Sequence, residues 1–189
     1  FLLTVVMLST ACACSSAELK NADFEGGMTS SGGIADWKRY DYNGKMAEDN
    51  PFTEFSLADG VSGKAACIYN KQLNDARIYQ HISAEKNTSY KISASVRTEG
   101  VGTQGAGANL SVKDFAGTSD RVIGDTDWKE VTLYVSVRNV SDGFDLCLSL
   151  GGYSAESVGK AYFDNVSVQK VTEVPDKAAS VTVYAKGSS

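Results

Sequence analysis

Two carboxylates carry the chemistry that most needs an explanation. Glu25 closes the segment Leu19-Lys20-Asn21-Ala22-Asp23-Phe24-Glu25-Gly26, and Asp164 lies within Gly159-Lys160-Ala161-Tyr162-Phe163-Asp164-Asn165-Val166-Ser167-Val168. Each segment joins apolar, strand-forming residues to an acid, and together they bracket about one domain's length of chain. If the first and last strands pair, the acids meet, and like charges that close need a cation or a shared proton between them. A bound cation is one answer. General acid and base catalysis, as in glycoside hydrolysis, is the other, and it requires an open cleft with room for a sugar ring. Acids at paired strand ends, flanked by Phe24 and Phe163, do not describe a cleft. A nucleophile–histidine–acid set is not available either, because His81 is the sole histidine and sits in an alternating strand, where a surface imidazole is expected. Cys67 and Cys147 lie too far apart in sequence to imply a metal site. In an oxidising compartment they form a possible disulfide, but in strand-like runs the expectation is two small buried thiols.

The elements that must position these groups are short and β-rich. Candidate strands are Ala65–Tyr69, Arg77–Ile82, Ser89–Val96, Ala108–Val112, Lys129–Val137, Phe144–Leu150 and Ala161–Val168. Leu146, Leu148 and Leu150 alternate with Cys147 and Ser149, and this period of two with one apolar face implies two packed sheets. Turn signals recur at Asp59-Gly60, Glu99-Gly100, Asp114-Phe115-Ala116-Gly117 and Ser141-Asp142-Gly143, at the spacing of a sandwich. The expected fold is all-β, a two-sheet jelly-roll sandwich. Gly100–Gly107 and Met28–Gly33 read as flexible loops. A net charge of −5 without a Lys/Arg cluster argues against a nucleic-acid partner and against electrostatic docking to anionic lipid.

Residues 1–16 read as a signal peptide or lipoprotein leader truncated at its start: a short apolar run ending in Ala11-Cys12-Ala13-Cys14, with no basic region before it. Cleavage after Ala13, lipidation of Cys12 or Cys14, and the tail of a transmembrane helix are the alternatives. All place the body outside the cytoplasm, with membrane attachment only through a lipid anchor in the second case. Residues 17–171 are the expected domain. Residues 172–189 are the expected linker or C-terminal extension, within which Ala179–Ala185 has strand character.

Taken in order, Asn21-Ala22-Asp23-Phe24-Glu25, Trp37, Gly63-Lys64, Tyr79-Gln80, Thr88-Ser89-Tyr90-Lys91-Ile92-Ser93-Ala94, Thr126-Asp127-Trp128 and Tyr162-Phe163-Asp164-Asn165-Val166 form a series that resembles carbohydrate-binding modules of the family 4/9 type. These are galactose-binding-like jelly rolls appended to polysaccharide-degrading enzymes, and the likeness spans Glu18 to Val171. It implies a structural Ca²⁺ tying the first strand to the last. Glu25 and Asp164 would be its ligands, with backbone carbonyls near Asn21 and Lys64 and the carboxylate of Asp59. Hard oxygen donors of mixed kind suit that ion. The resemblance also implies sugar binding by aromatic rings and hydroxyl-bonding polar groups. Tyr69, Arg77, Tyr79, Phe115 and Tyr153 are the candidates, while Trp37 and Trp128 read as packing residues. The expected function is non-catalytic attachment of a secreted or surface-tethered bacterial protein to a polysaccharide or cell-surface glycan, as a monomer or part of a larger multidomain protein. The alternatives are a small jelly-roll glycan hydrolase or lyase, or an adhesion sandwich without a sugar site.

Overall fold

Alternating apolar residues are realised as ten β-strands in two sheets. The computed structural model of the chain describes residues 18–43, 52–139 and 142–185, so the expected leader lies outside the described residues. In chain order the strands are β1 (Lys38–Asp41), β2 (Thr53–Asp59), β3 (Lys64–Asn74), β4 (Ala76–Ile82), β5 (Thr88–Val101), β6 (Ala108–Val112), β7 (Gly124–Arg138), β8 (Phe144–Leu150), β9 (Ser157–Val171) and β10 (Ser180–Tyr184). One sheet has four strands in the order β1-β4-β8-β6, the other six in the order β10-β7-β5-β9-β3-β2. The fold is an all-β jelly-roll sandwich. Ile78, Leu110, Leu146, Leu148 and Leu150 of the first sheet pack on Ile68, Ile92, Val96, Leu133, Val135 and Phe163 of the second, all buried. Burial on this scale, at about 25 cal/mol per Å² of apolar surface, is what holds the layers together.

Three elements differ from expectation. Leu19–Gly26 is a run of turns rather than a strand, with Asn21 and Phe24 at φ of 47° and 60°. It nevertheless extends the sheet locally, because Val166 N–H donates to Ala22 C=O at 2.9 Å. Phe24 and Trp37 stack at 5.5 Å, and the Trp37 indole donates to Asn21 C=O, so Trp37 is the plug expected of it. Second, β1 is polar throughout and carries no alternation to read. Third, β10 pairs in parallel with β7 and buries Val181 and Val183, so the sandwich extends past 171 to Tyr184. Met28–Gly33 is a closed turn, bridged by Met28 and Ile34.

The chain changes sheet at Asn74-Asp75, between β3 and β4. A corner here leaves backbone carbonyls without ladder partners, and buried Asn70 supplies them. Its amide donates to the carbonyls of Asn74, Leu150 and Ser157 at 3.2, 3.1 and 2.9 Å, and accepts from Thr53 Oγ1 at 2.7 Å. This polar plug ties β3, β8 and β9 together and sets the position of Asp75.

Candidate functional site

The two acids converge on the turn between β2 and β3. Glu25 Oε1 accepts from Lys64 N–H at 2.6 Å. Asp164 is 0% exposed, and its oxygens accept from the Val61 and Asn165 N–H groups at 2.8 and 2.7 Å. Glycine keeps the space between them open. A Cβ on Gly60 would sit 2.6 Å from Asp164 Oδ2 and 2.7 Å from Lys64 C=O, and one on Gly63 would sit 2.0 Å from Glu25 Oε1. Neither acid has a cationic side chain within 4.0 Å among the described residues. Two carboxylates beside the Lys64 carbonyl are a hard-oxygen donor set, the kind that suits Ca²⁺. Among the described residues no three His, Cys, Asp or Glu side chains gather as a metal cluster. The other two expected ligands are placed elsewhere. The Asp59 side chain is 99% exposed and lies 3.6 Å from Lys64 Nζ. Asn21 C=O accepts from the Trp37 indole, and the Asn21 side chain bonds Ala35 C=O and Gly26 N–H within its own loop.

The five expected sugar-contacting residues divide between the two sheets. Strand parity places Tyr69 on the outer face of the six-stranded sheet, under Lys160 Nζ at 5.3 Å from its ring. Phe115 packs against the core and edge-on to Tyr184 of β10 at 5.4 Å, so it covers the sheet seam. Neither joins Arg77 and Tyr79, which share the outer face of the four-stranded sheet. Tyr153 stands on the loop after β8, 91% exposed. Trp128 is also on the six-stranded sheet's outer side, where the Arg97 guanidinium lies 5.6 Å from its ring and 4.0 Å from that of Tyr162. That stack is a packing role, though outside the core.

The outer face of the four-stranded sheet holds a denser polar array than the sequence motifs implied. Register aligns Tyr40, Arg77, Ser149 and Asn109 in one row, and Lys38, Tyr79, Cys147 and Ser111 in the next. Asn109, Cys147 and Ser149 are buried although they point away from the core, so the middle of this face is recessed. Arg77 pairs with the buried Asp75 carboxylate, and its guanidinium lies 4.9 Å from the Tyr40 ring. Burial raises Asp75 above the ordinary carboxylate range, and Arg77 opposes the rise. Burial likewise pushes the Cys147 thiol up to about 12. Cys67 is buried on the other sheet, so the two thiols are free and far from pairing. Four buried polar atoms have no hydrogen-bond partner among the described residues: Asp75 Oδ1, Arg77 Nε and Asn109 Oδ1 on this face, and Arg97 Nε on the outer side of the six-stranded sheet. The first three lie at one end of this face. Asn109 Nδ2 donates to Gly107 and Gly151 C=O, Tyr42 N–H donates to Asp75 C=O, and exposed Tyr40, Tyr42 and Tyr153 stand at the rim. At the other end, the His81 ring nitrogens lie 3.0 Å from Asp145 Oδ1 and 2.6 Å from the Asp142 carbonyl oxygen, both acceptors. Burial draws this imidazole down, but those hydrogen bonds and carboxylates outweigh it and raise it above its ordinary value. A separate cavity of about 450 Å³ at the β7–β10 edge, lined by Arg121, Lys129, Tyr134 and Lys177 among others, contains none of these residues.

No protein-family model matches the chain, and no curated protein does. Solved structures do match. A Stig cyclase from Fischerella sp. TAU, in complex with (3Z)-3-(1-methyl-2-pyrrolidinylidene)-3H-indole, aligns at TM-score 0.59 and 19% identity over 82% of this chain and 97% of that one. The carbohydrate-binding module TmCBM61, in complex with β-1,4-galactotriose, aligns at TM-score 0.51 and 16% identity over 83% and 100%. A family 4 carbohydrate-binding module aligns at TM-score 0.51 and 17% identity over 82% and 100%. At these identities the likeness establishes the jelly-roll fold that all of them share.

Proposed function

We propose that this protein is a non-catalytic carbohydrate-binding module that attaches an exported bacterial protein to a polysaccharide or cell-surface glycan. The observation that carries the reading is the cluster of unpartnered buried polar atoms, Asp75 Oδ1, Arg77 Nε and Asn109 Oδ1, on a recessed sheet face rimmed by exposed tyrosines. Buried polar atoms are costly when unpaired, and sugar hydroxyls both donate and accept, so a glycan seated on this recess would suit the polar groups gathered there. The tyrosines supply flat apolar surface with a polar tip for pyranose rings. Binding is then a matter of hydroxyl hydrogen bonds on the floor and ring contacts at the rim. The galactotriose bound by TmCBM61 supports the ligand class.

Glu25, Asp164 and the Lys64 carbonyl would hold a structural Ca²⁺ at the β2–β3 turn. The ion would neutralise two acids that otherwise repel and would fasten the N-terminal loop to β9. It would sit on a different sheet from the sugar face and have no part in recognition.

A catalytic reading is favoured by the likeness to Stig cyclases and by Asp75, a buried acid with a raised pKa. The floor argues against it: Asp75, Arg77, Ser149 and Asn109 suit a hydroxyl-rich ligand better than an apolar ring system, and Asp75 is already committed to Arg77. A glycan array with the whole chain, run beside a reducing-sugar release assay, tests the choice. Retention without release is expected. Release of sugar would overturn the non-catalytic role, and silence on the array would overturn carbohydrate binding.

A further inference from the structure

The His81 end of the four-stranded sheet brings two lysines together, in a chain whose net charge is −5. Lys38 on β1 and Lys113 just beyond β6 start from opposite edges of the sheet, yet their ammonium groups lie 6.0 and 5.4 Å from the same Tyr79 ring. His81 is two residues along β4. Both of its ring nitrogens face acceptors, the Asp145 carboxylate and the Asp142 carbonyl, and both can donate only as the imidazolium. Two ammonium groups therefore share one corner with an imidazole that becomes a third cation when both its nitrogens donate, and like charges repel unless anions stand among them. The acids facing them are few. Asp145 is shared, 3.0 Å from His81 and 3.8 Å from Lys113. The Asp142 carboxylate lies 3.9 Å from His81 and is turned into solvent. Asp75 belongs to Arg77. Lys38 has no carboxylate within 4.0 Å among the described residues. Tyr79 is thus a seat for cations rather than an open stacking surface.

We propose that this corner takes an acidic sugar, a glycan residue bearing a carboxylate or a sulfate, held by the ammonium groups of Lys38 and Lys113 beside Tyr79. This rests on the carbohydrate-binding reading and adds to it the charge of the ligand. Ammonium groups on flexible stems act as point charges and accommodate either anion, where a rigid guanidinium fork would select planar geometry. The neutral hydroxyls of the same chain would then reach Arg77, Asp75 and Asn109 at the other end.

The test uses affinity electrophoresis of the whole chain in gels containing polygalacturonate, a sulfated galactan or a neutral galactan. Retention on an acidic polymer should be roughly tenfold stronger than on the neutral one, the equivalent of one good charge contact. It should also fall as NaCl rises from about 0.05 to 0.5 M, which shortens the screening length. Which acidic polymer is retained assigns carboxylate or sulfate. The double variant Lys38→Met, Lys113→Met should lose the acidic preference while keeping its melting temperature, and Lys→Arg replacements should restore it in part. Equal or better retention on the neutral galactan, or full acidic retention by the double variant, overturns the acidic-sugar assignment and leaves carbohydrate binding standing. Retention on none of the three removes this inference, and the glycan array decides the wider reading separately.

Discussion

Glu25 and Asp164 show how much a side chain's meaning depends on what stands between it and its neighbour. Both acids accept backbone N–H groups at the β2–β3 turn, and no cationic side chain separates them among the described residues. The proposed calcium therefore makes a sharp prediction. At about a hundred times its dissociation constant a ligand adds about 2.7 kcal/mol, which in a chain of this size raises the melting temperature by roughly 5–10 °C. Chelation should reverse the gain, and Glu25→Gln should abolish the response to Ca²⁺ in differential scanning calorimetry. An unchanged melting curve would remove the ion. The aromatics give a second test. Tyr153→Ala should weaken glycan retention roughly tenfold with little change in stability, as expected of an exposed contact residue. Phe115→Ala should do the reverse, because its ring covers Tyr184 and the sheet seam. Sequence parity could pair Arg77 with Tyr79, but it had no means of ranking Tyr69, Phe115 and Tyr153, since parity says nothing about which sheet a strand joins.

The corner between β3 and β4 governs the site at the scale of elements. Asn74-Asp75 carries the chain from one sheet to the other, and Asn70 answers the carbonyls that this turn leaves open. Asn70→Ala would strand several buried acceptors at once and should cost about 2–4 kcal/mol, measured by urea denaturation. Because Asp75 is set by the same corner, glycan retention should fall with it, even at temperatures where the variant is folded. Asp75 and Asn109 were legible only in part. Asn109 and Ser111 are the polar members of an alternating strand, a signal that the outer face is polar, but nothing local says that the face is recessed. Tyr40 and Lys38 had no signal, because β1 is an edge strand exposed along most of its length and shows no alternation.

The sandwich as a whole closes later than its apparent end. β10 lies in parallel beside β7 and buries Val181 and Val183, each worth about 1.5–3 kcal/mol. Truncation after Val171 should lower the urea midpoint and leave glycan retention intact, because β10 belongs to the other sheet from the proposed binding face. A truncated chain as stable as the full one would restore 172–189 to the status of a linker. The two sheets also have different outer surfaces. The six-stranded sheet carries a stack of Arg97, Trp128, Tyr162 and Glu99 in which Arg97 Nε alone lacks a partner among the described residues, while the four-stranded sheet gathers three such atoms at one end. The gathering of these atoms in one place, rather than their presence, marks the four-stranded face as the candidate binding face.

By itself the sequence determined the fold class and most strand positions, and it singled out Glu25 and Asp164, which both reach the β2–β3 turn. Alternation and turn residues are local signals, and a carboxylate in each end segment survives any detail of pairing. Ala108–Val112 and Phe144–Leu150 were readable to the residue for the same reason. Only the tertiary structure decided which aromatics share a surface, where Asp59 and Asn21 point, and which polar atoms are buried without partners. Those properties come from strand order and from the corner at Asn74-Asp75, which bring together residues as distant as Asp75, Asn109 and Tyr153, and no spacing along the chain encodes them.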